Sequence, residues 1–133
     1  MPARVFIIDD DERSRQNIED IIESSKDLEL CGRCRSSEGA LDQLSSVHAD
    51  VVLIDVSLPG SSGIELLGQI RARFPHLVCV ILSGYRSVKY ATQARTAGAA
   101  AYIVNNDIDR LGGVLRDVLK DGAPFYAYGL GGK

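Results

Sequence analysis

Residues 51–55 read VVLID, which is four apolar residues followed directly by a carboxylate. An unbroken apolar run of this length is typical of a strand that is buried on both faces of a parallel sheet. Short segments rich in apolar residues recur at four other places along the 133 residues, and most of the five segments are unbroken apolar runs. The pattern predicts five strands: Val5 to Ile8, Leu28 to Cys34, Val51 to Ile54, Val78 to Leu82 and Ala101 to Val104.

The segments between the strands carry apolar residues at helical spacing, for example Ile18 and Ile22 in the first of them. Ser62 and Glu65 have the spacing of a capping box, which predicts the start of the third helix. The fourth helix, expected over Ser87 to Ala97, offers mainly alanines to the core and should be the least firmly anchored. Strands that alternate with helices predict an α/β fold around a parallel sheet.

The last helix is expected from an apolar stripe that begins at Ile108 and stops near Gly122. After it the sequence is rich in glycine and aromatic residues and has no periodicity. We therefore predict one domain over residues 1–121 and a short tail, or the start of a linker, over residues 122–133.

Composition places the chain among single globular domains, with 15 basic and 18 acidic side chains, a net charge of −3 and 45% hydrophobic residues. We expect no direct nucleic-acid binding, because there is no basic cluster. We also expect no membrane association, because no apolar run approaches the ~20 residues that span a bilayer. Without a signal peptide, the predicted location is cytoplasmic. Cys31 and Cys34 lack a second ligand pair for zinc, and three cysteines argue against a disulfide framework.

Carboxylates follow two of the predicted strands at the point where each strand ends. Asp9, Asp10 and Asp11 follow the first strand, and Asp55 follows the third. If these strands are neighbours, the carboxylates of Asp9, Asp10 and Asp55 lie within roughly 5 Å, where each like-charge pair costs about 3 kcal/mol at an effective dielectric of 20. A divalent cation offsets this cost, and Mg²⁺ suits hard oxygen ligands. Two alternatives remain open: helix N-caps for Asp9 to Asp11, and a solvated loop residue for Asp55.

A hydroxyl stands at the same edge of the predicted sheet. Ser83 follows the fourth strand and Gly84 comes directly after it. Such a hydroxyl can hydrogen-bond a phosphoryl oxygen, while the glycine lets a backbone N–H approach an anion closely. The alternative is that Ser83 is an ordinary turn residue.

Four segments, IIDDDERSR, VVLIDVSLPGSSGIELL, CVILSG and AGAAAYIV, together resemble the receiver domain of bacterial two-component response regulators. The resemblance covers residues from about 4 to 120. It is most specific at Asp55 to Gly60 followed by Gly63. It implies a flavodoxin-like, doubly wound (βα)5 fold with a five-stranded parallel sheet in the strand order 2-1-3-4-5, as in CheY-like proteins, and a receiver domain over residues 1–121.

The resemblance also implies roles for the acidic residues. Asp55 is expected to be the phosphoacceptor, which takes a phosphoryl group from a phosphohistidine on a sensor histidine kinase or a phosphotransfer protein. Asp10 and Asp55 are expected to bind Mg²⁺ directly, Asp9 through water, and Ser57 through its backbone carbonyl. Phosphoryl transfer needs cations that neutralise the oxygens of the transferred group, which agrees with these roles.

Two further roles follow from the resemblance. Ser83 is expected to be the switch hydroxyl that moves towards the phosphoryl group, and Tyr102 the switch aromatic whose rotamer follows. An aromatic residue that simply flanks the core is the alternative for Tyr102. The face of the fourth helix, fifth strand and fifth helix is the expected surface for a homodimer or an output domain.

The sequence departs from the family pattern after the fifth strand. Asn105 stands where the family usually has a lysine, whose ammonium about 4 Å from the phosphoryl group is worth roughly 4 kcal/mol at an effective dielectric of 20. A neutral hydrogen bond from Asn105 contributes ~1 kcal/mol. Asn105, Asn106 and Asp107 also suit the turn and N-cap of the last helix.

The leading hypothesis is a phosphorylation-dependent signalling switch, whose only chemistry is its own Mg²⁺-assisted phosphorylation and dephosphorylation. The alternative is a pseudo-receiver, a protein-interaction module that does not use phosphorylation, which the loss of the lysine motivates. A third hypothesis, a phosphatase of the haloacid dehalogenase type, rests on Asp9, Asp11 and Ser83. The later lysine and paired acidic residues of that family are absent from the sequence.

Overall fold

The computed structural model describes residues 2–58, 62–104, 110–120 and 124–128. Their strands form one parallel sheet in the order β2-β1-β3-β4-β5-β6. The first five strands have the predicted order, and the flavodoxin-like prediction is confirmed for them. The strands are β1 (Ala3–Ile8), β2 (Leu28–Cys34), β3 (Val51–Asp55), β4 (Val78–Ser83), β5 (Ala101–Val104) and β6 (Tyr126–Tyr128).

Helices cover both faces of the sheet, and alternate residues of each strand therefore enter two separate cores. Phe6 and Ile8 of β1 belong to one core, whereas Val5 and Ile7 belong to the other. The helices are α1 (Glu12–Glu23), α2 (Ala40–Ser45), α3 (Gly63–Arg73), α4 (Val88–Ala97) and α5 (Leu111–Val118). The first core includes residues of α2, α3 and α4, and the second includes residues of α1 and α5.

The start of α3 is fixed by the predicted capping box. The Ser62 hydroxyl accepts a hydrogen bond from the Glu65 backbone N–H at 3.1 Å, and the Glu65 carboxylate accepts one from the Ser62 N–H at 3.4 Å. Both bonds satisfy N–H groups that the first turn of a helix otherwise leaves unpaired. The box therefore holds the first turn of α3 in place at the carboxyl end of β3.

Replacing Ser62 with alanine is expected to lower the free energy of unfolding by about 1 kcal/mol, because the cap is lost. Urea unfolding followed by circular dichroism measures the change. Ser62→Thr is the control, since threonine keeps the capping hydroxyl. Equal stability of the alanine and threonine variants would contradict a capping role.

The fourth helix is weakly packed, as its alanine content predicts. Its buried residues are Ala91 and Ala94, which offer little apolar area to the core. It ends at Gly98, whose φ of 106° lies in the left-handed region that glycine adopts without strain. The helix is thus well defined at its ends but only lightly held against the sheet.

The sixth strand is the main difference from the sequence prediction, which ends the sheet at β5 and treats residues 122–133 as a tail or linker. Tyr126, Ala127 and Tyr128 pair in parallel with Ala101, Tyr102 and Ile103, respectively. The division of the chain at residue 121 itself stays a prediction. A strand of three residues is too short to show an alternating pattern in the sequence, so only the long-range pairing reveals it.

The three cysteines are free thiols, and Cys34 and Cys79 are buried. Burial raises the pKa of Cys79 to about 12, which keeps this thiol protonated at neutral pH.

Ile108, the first residue of the apolar stripe that predicts the last helix, lies outside the described residues. Among the helices that the structure describes, none is long and apolar enough to cross a bilayer.

Candidate functional site

Three carboxylates meet at the carboxyl ends of β1 and β3. The parallel register pairs Ile8 with Ile54, so the residues that follow, Asp9 and Asp55, stand side by side. One carboxylate oxygen from each of Asp9, Asp10 and Asp55 lies within 4.8 Å of the other two. The expected separation of roughly 5 Å is therefore found.

Asp9 is held rigidly at this edge. Its side chain is almost fully buried, with 1% of the residue exposed. One carboxylate oxygen accepts a hydrogen bond from the Asp11 backbone N–H at 2.9 Å, and the other accepts one from the Ser14 hydroxyl at 2.6 Å. Asp11 itself is the N-cap of α1, as the alternative interpretation of the acidic run proposes for that residue. No spacing or motif in the sequence points to Ser14.

Asp55 differs from Asp9 in its surroundings. Oδ1 of Asp55 accepts a hydrogen bond from the Ser57 backbone N–H at 3.1 Å. Partial burial raises the pKa of Asp55 to about 7. The hydrogen bond from the Ser57 N–H opposes this rise. The negative charges of Asp9 and Asp10 add to it, as does a hydrogen bond with Asp9. The cluster therefore holds more negative charge than the protein neutralises by itself.

The carboxylates fit a magnesium ion. They offer hard oxygen donors at close range, which is the donor set that Mg²⁺ prefers. Because both oxygens of Asp9 already accept hydrogen bonds from the protein, Asp9 is better suited to contact through water. Asp10 is exposed and Asp55 is half-buried, so both are open to direct ligation.

Gly63 places the N-terminus of α3 directly against the end of β3. Its backbone N–H donates to the Val56 carbonyl at 2.9 Å. A Cβ atom at this position would lie 2.1 Å from the Asp55 carbonyl oxygen and 2.8 Å from the Val56 Cα. Both atoms belong to the backbone and have no room to move aside. Although Gly63 is part of the family motif, its steric role becomes visible only in the structure.

Ser83 and Tyr102 are connected through the backbone of Tyr85. Ser83 is fully buried at the end of β4, and its hydroxyl accepts a hydrogen bond from the Tyr85 N–H at 2.9 Å. The Tyr102 hydroxyl donates to the Tyr85 carbonyl at 2.8 Å, and the Tyr102 residue is 0% exposed. Burial raises the pKa of Tyr102. The loop after β4 thus links the two side chains that the sequence predicts as a switch.

Parts of the predicted site lie outside the described residues. These are Asn105, Asn106 and Asp107 after β5, and Pro59 and Gly60 in the loop before α3. The parallel register pairs Val104, the residue before Asn105, with Ser83. The end of β5 therefore reaches the same edge of the sheet as the acidic cluster.

Residues 5–112 match the family model described as the response regulator receiver domain. The chain belongs to this family. The match extends over the acidic strand ends, the Ser83 position and most of the sheet, so the receiver domain accounts for the fold and for the cluster together. The chain is thus a receiver domain of two-component response regulators.

Two curated relatives illustrate the match. The receiver domain is 34% identical over 104 residues to the DNA-binding transcriptional activator DevR/DosR of Mycobacterium tuberculosis, which covers 78% of this chain and 48% of the relative. It is 36% identical over 108 residues to the response regulator FleR of Pseudomonas aeruginosa, which covers 78% of this chain and 22% of the relative. The chain thus spans about half or less of these proteins.

Solved structures show the same fold. The non-phosphorylated receiver domain of the stress response regulator RcsB from Escherichia coli superposes with a TM-score of 0.88. The superposition covers 97% of this chain and the whole of the RcsB domain, at 19% sequence identity. This likeness concerns the fold alone.

Proposed function

We propose that the receiver domain accepts a phosphoryl group on Asp55 from a phosphohistidine, carried by a sensor histidine kinase or a phosphotransfer protein. The observation that carries the proposal is the position of the Asp55 carboxylate. It stands within 4.8 Å of Asp9 and Asp10, and the Ser57 N–H orients one of its oxygens. An oriented carboxylate at the rim of an acidic cluster is suited to attack phosphorus in line with the leaving group.

The transfer breaks one bond and forms one. An Asp55 carboxylate oxygen attacks the phosphorus, an O–P bond forms, the N–P bond of the phosphohistidine breaks, and the imidazole leaves with its electron pair. Attack of water on the phosphorus then breaks the O–P bond, releases inorganic phosphate and restores the Asp55 carboxylate, which completes the cycle.

We propose Mg²⁺ as the cofactor, held by Asp10, Asp55 and the Ser57 carbonyl, with Asp9 acting through water. Bound Mg²⁺ supplies positive charge to the equatorial oxygens of the transferred group. Asp9 keeps its orientation through Ser14 and Asp11, so it positions the site in either state. The raised pKa of Asp55 fits a carboxylate whose charge needs such a cation.

We propose that Ser83 and Tyr102 transmit the change. The phosphoryl group on Asp55 carries a charge of about −1.5 to −2, in place of the single charge of the carboxylate, and attracts the Ser83 hydroxyl. Movement of Ser83 disturbs its hydrogen bond with Tyr85, to which Tyr102 is also bonded. We further propose that the face of α4, β5 and α5 is the surface for a second copy or an output domain, and that the protein acts in the cytoplasm.

A second candidate function is favoured by one observation. Asn105 stands where the family usually has a lysine, so the chain lacks one of the usual phosphoryl contacts. A phosphorylation-independent pseudo-receiver would retain the fold as an interaction module. The preserved acidic cluster and the buried Ser83 support the first function over this one.

Incubation with Mg²⁺ and acetyl phosphate, followed by intact mass, tests the two functions. The wild type is expected to gain the mass of one phosphoryl group, and Asp55→Asn is expected to gain none. Asp42→Asn is the control, because Asp42 is exposed on α2. A folded, Mg²⁺-containing wild type without added phosphate would support the pseudo-receiver instead.

Asn105→Lys is expected to take up phosphate faster than the wild type. The lysine restores a cation worth roughly 4 kcal/mol at an effective dielectric of 20, before its desolvation cost. Initial rates of the mass increase, compared at equal acetyl phosphate, measure the effect. Asn105→Gln is the neutral control. Equal rates for Lys and Gln variants would contradict the electrostatic account of this position.

A further inference from the structure

The segment Pro124–Tyr128, termed the strap, contacts both β5 and α4. Its last three residues form β6, in which Ala127 pairs with Tyr102 of β5. Its Phe125 packs against the buried core that includes Ala91 and Ala94 of α4. The Arg95 guanidinium carbon, near the end of α4, lies 5.7 Å from the centroid of the Phe125 ring. A cation–π contact of this kind ties the helix to the strap.

The strap pairs with β5 at three positions. Among its side chains that the structure describes, Pro124 and Ala127 are exposed and Phe125 is half-buried. The buried residues of the helix that it contacts are Ala91 and Ala94. A helix with so little buried apolar area opens at low free-energy cost. The strap and the end of α4 therefore depend on each other for their position.

A continuous line of contacts leads from the acidic cluster to the strap. Ser83 bonds the Tyr85 N–H, and the Tyr85 carbonyl bonds the Tyr102 hydroxyl. Tyr102 in turn pairs through its backbone with Ala127. A shift of Ser83 towards Asp55 therefore disturbs, in order, the Tyr85 loop, the Tyr102 side chain and the strand that β6 lies against.

We propose that the β5 edge and Arg95 form a docking surface whose occupant is the strap of the same chain. The strap is docked in the unphosphorylated domain and is released when phosphorylation moves Ser83 and loosens α4. Release uncovers the β5 edge within the proposed partner surface. The proposal rests on the proposed function for its trigger, but the docking of the strap on α4 does not depend on phosphorylation.

The first test uses a single fluorophore, since the chain has no tryptophan. Phe125→Trp keeps an aromatic ring over Arg95. With Mg²⁺ alone, the emission of this tryptophan is expected to be that of a partly buried indole. After phosphate uptake, which intact mass confirms, the emission should shift to the red and acrylamide should quench it more strongly. The same probe with Asp55→Asn should not respond. Unchanged emission on a phosphorylated chain would overturn the proposal.

The second test needs no phosphate and thus separates failure of the strap from failure of the proposed function. The double variant Ala127→Pro/Tyr128→Pro removes two consecutive backbone N–H groups. Because consecutive residues of a strand point their N–H groups in opposite directions, one of the two lost groups is the one that points towards β5. Amide exchange over Val88–Ala97 is expected to become about fivefold to tenfold faster. Ala127→Ser/Tyr128→Phe, which keeps both N–H groups, is the control. Equal exchange of the two variants would show that the strap does not hold α4.

Discussion

A receiver domain in which Gly63 is replaced by alanine is expected to lose about 3 kcal/mol of unfolding free energy, at the upper end of overpacking effects. The added methyl group would lie 2.1 Å from the Asp55 carbonyl oxygen. Relief of this contact requires α3 to move away from β3, which also breaks the hydrogen bond from Gly63 to Val56. Urea unfolding gives the loss, and phosphate uptake should slow because Asp55 shifts with its strand.

Gly68→Ala provides the matched control in the same helix. An added Cβ at Gly68 meets nothing within 4 Å, and the residue is exposed. Alanine in a helix interior is favoured over glycine by about 1 kcal/mol, so this variant should be slightly more stable than the wild type. If Gly63→Ala matched Gly68→Ala in stability, the close approach of α3 to β3 would be wrong.

The stability of the metal-free domain is expected to depend on pH through Asp55. Its pKa is about 7 in the folded chain and 3.8 in the unfolded chain, so between these values the folded state binds more protons. Stability from this residue is complete below about pH 4 and is lost as the pH rises through 7. Relative to the wild type, Asp55→Asn should therefore be more stable at pH 8, by about 1–2 kcal/mol after solvent screening, and equal to it near pH 4.

Thermal unfolding in a metal chelator at pH 4, 6 and 8 measures this difference. Glu23→Gln, an exposed carboxylate at the end of α1, is the control and should give the same difference from wild type at pH 6 and pH 8. Addition of Mg²⁺ at pH 8 should stabilise the wild type more than Asp55→Asn, because the ion binds only the folded state. A gain from Asp55→Asn that is equal at pH 4 and pH 8 would refute the role of carboxylate repulsion.

Local patterns were sufficient to predict most of the sheet and the acidic cluster. The predicted limits of β2 and β5 are the observed ones, and β3 extends one residue beyond its predicted end to Asp55. Asp9 and Asp55 are brought together because parallel strands end at one edge, which is a property of the fold and not of either segment alone. The family resemblance adds the strand order, which periodicity does not determine.

The features that escaped prediction depend on contacts between distant residues. β6 is three residues long and is identified only by its pairing with β5. The need for glycine at position 63 follows from a carbonyl group eight residues earlier. Glu19 lies on α1 beside Ile18 and Ile22, yet it is buried because Arg33 of β2 donates to both its oxygens at 3.0 Å. Spacing within one segment does not contain such information.

The pairing of β6 with β5 bears on the behaviour of the protein in concentrated solution. Four consecutive buried residues, Ala101–Val104, form β5, and without a neighbour the unpaired backbone groups at its edge would recruit strands from other molecules. In the structure, β6 of the same chain pairs with this edge and covers it. In the proposed signalling state, β6 no longer covers the edge of β5, so that state is also more prone to aggregation. Aggregation therefore limits how long this state can persist without a partner.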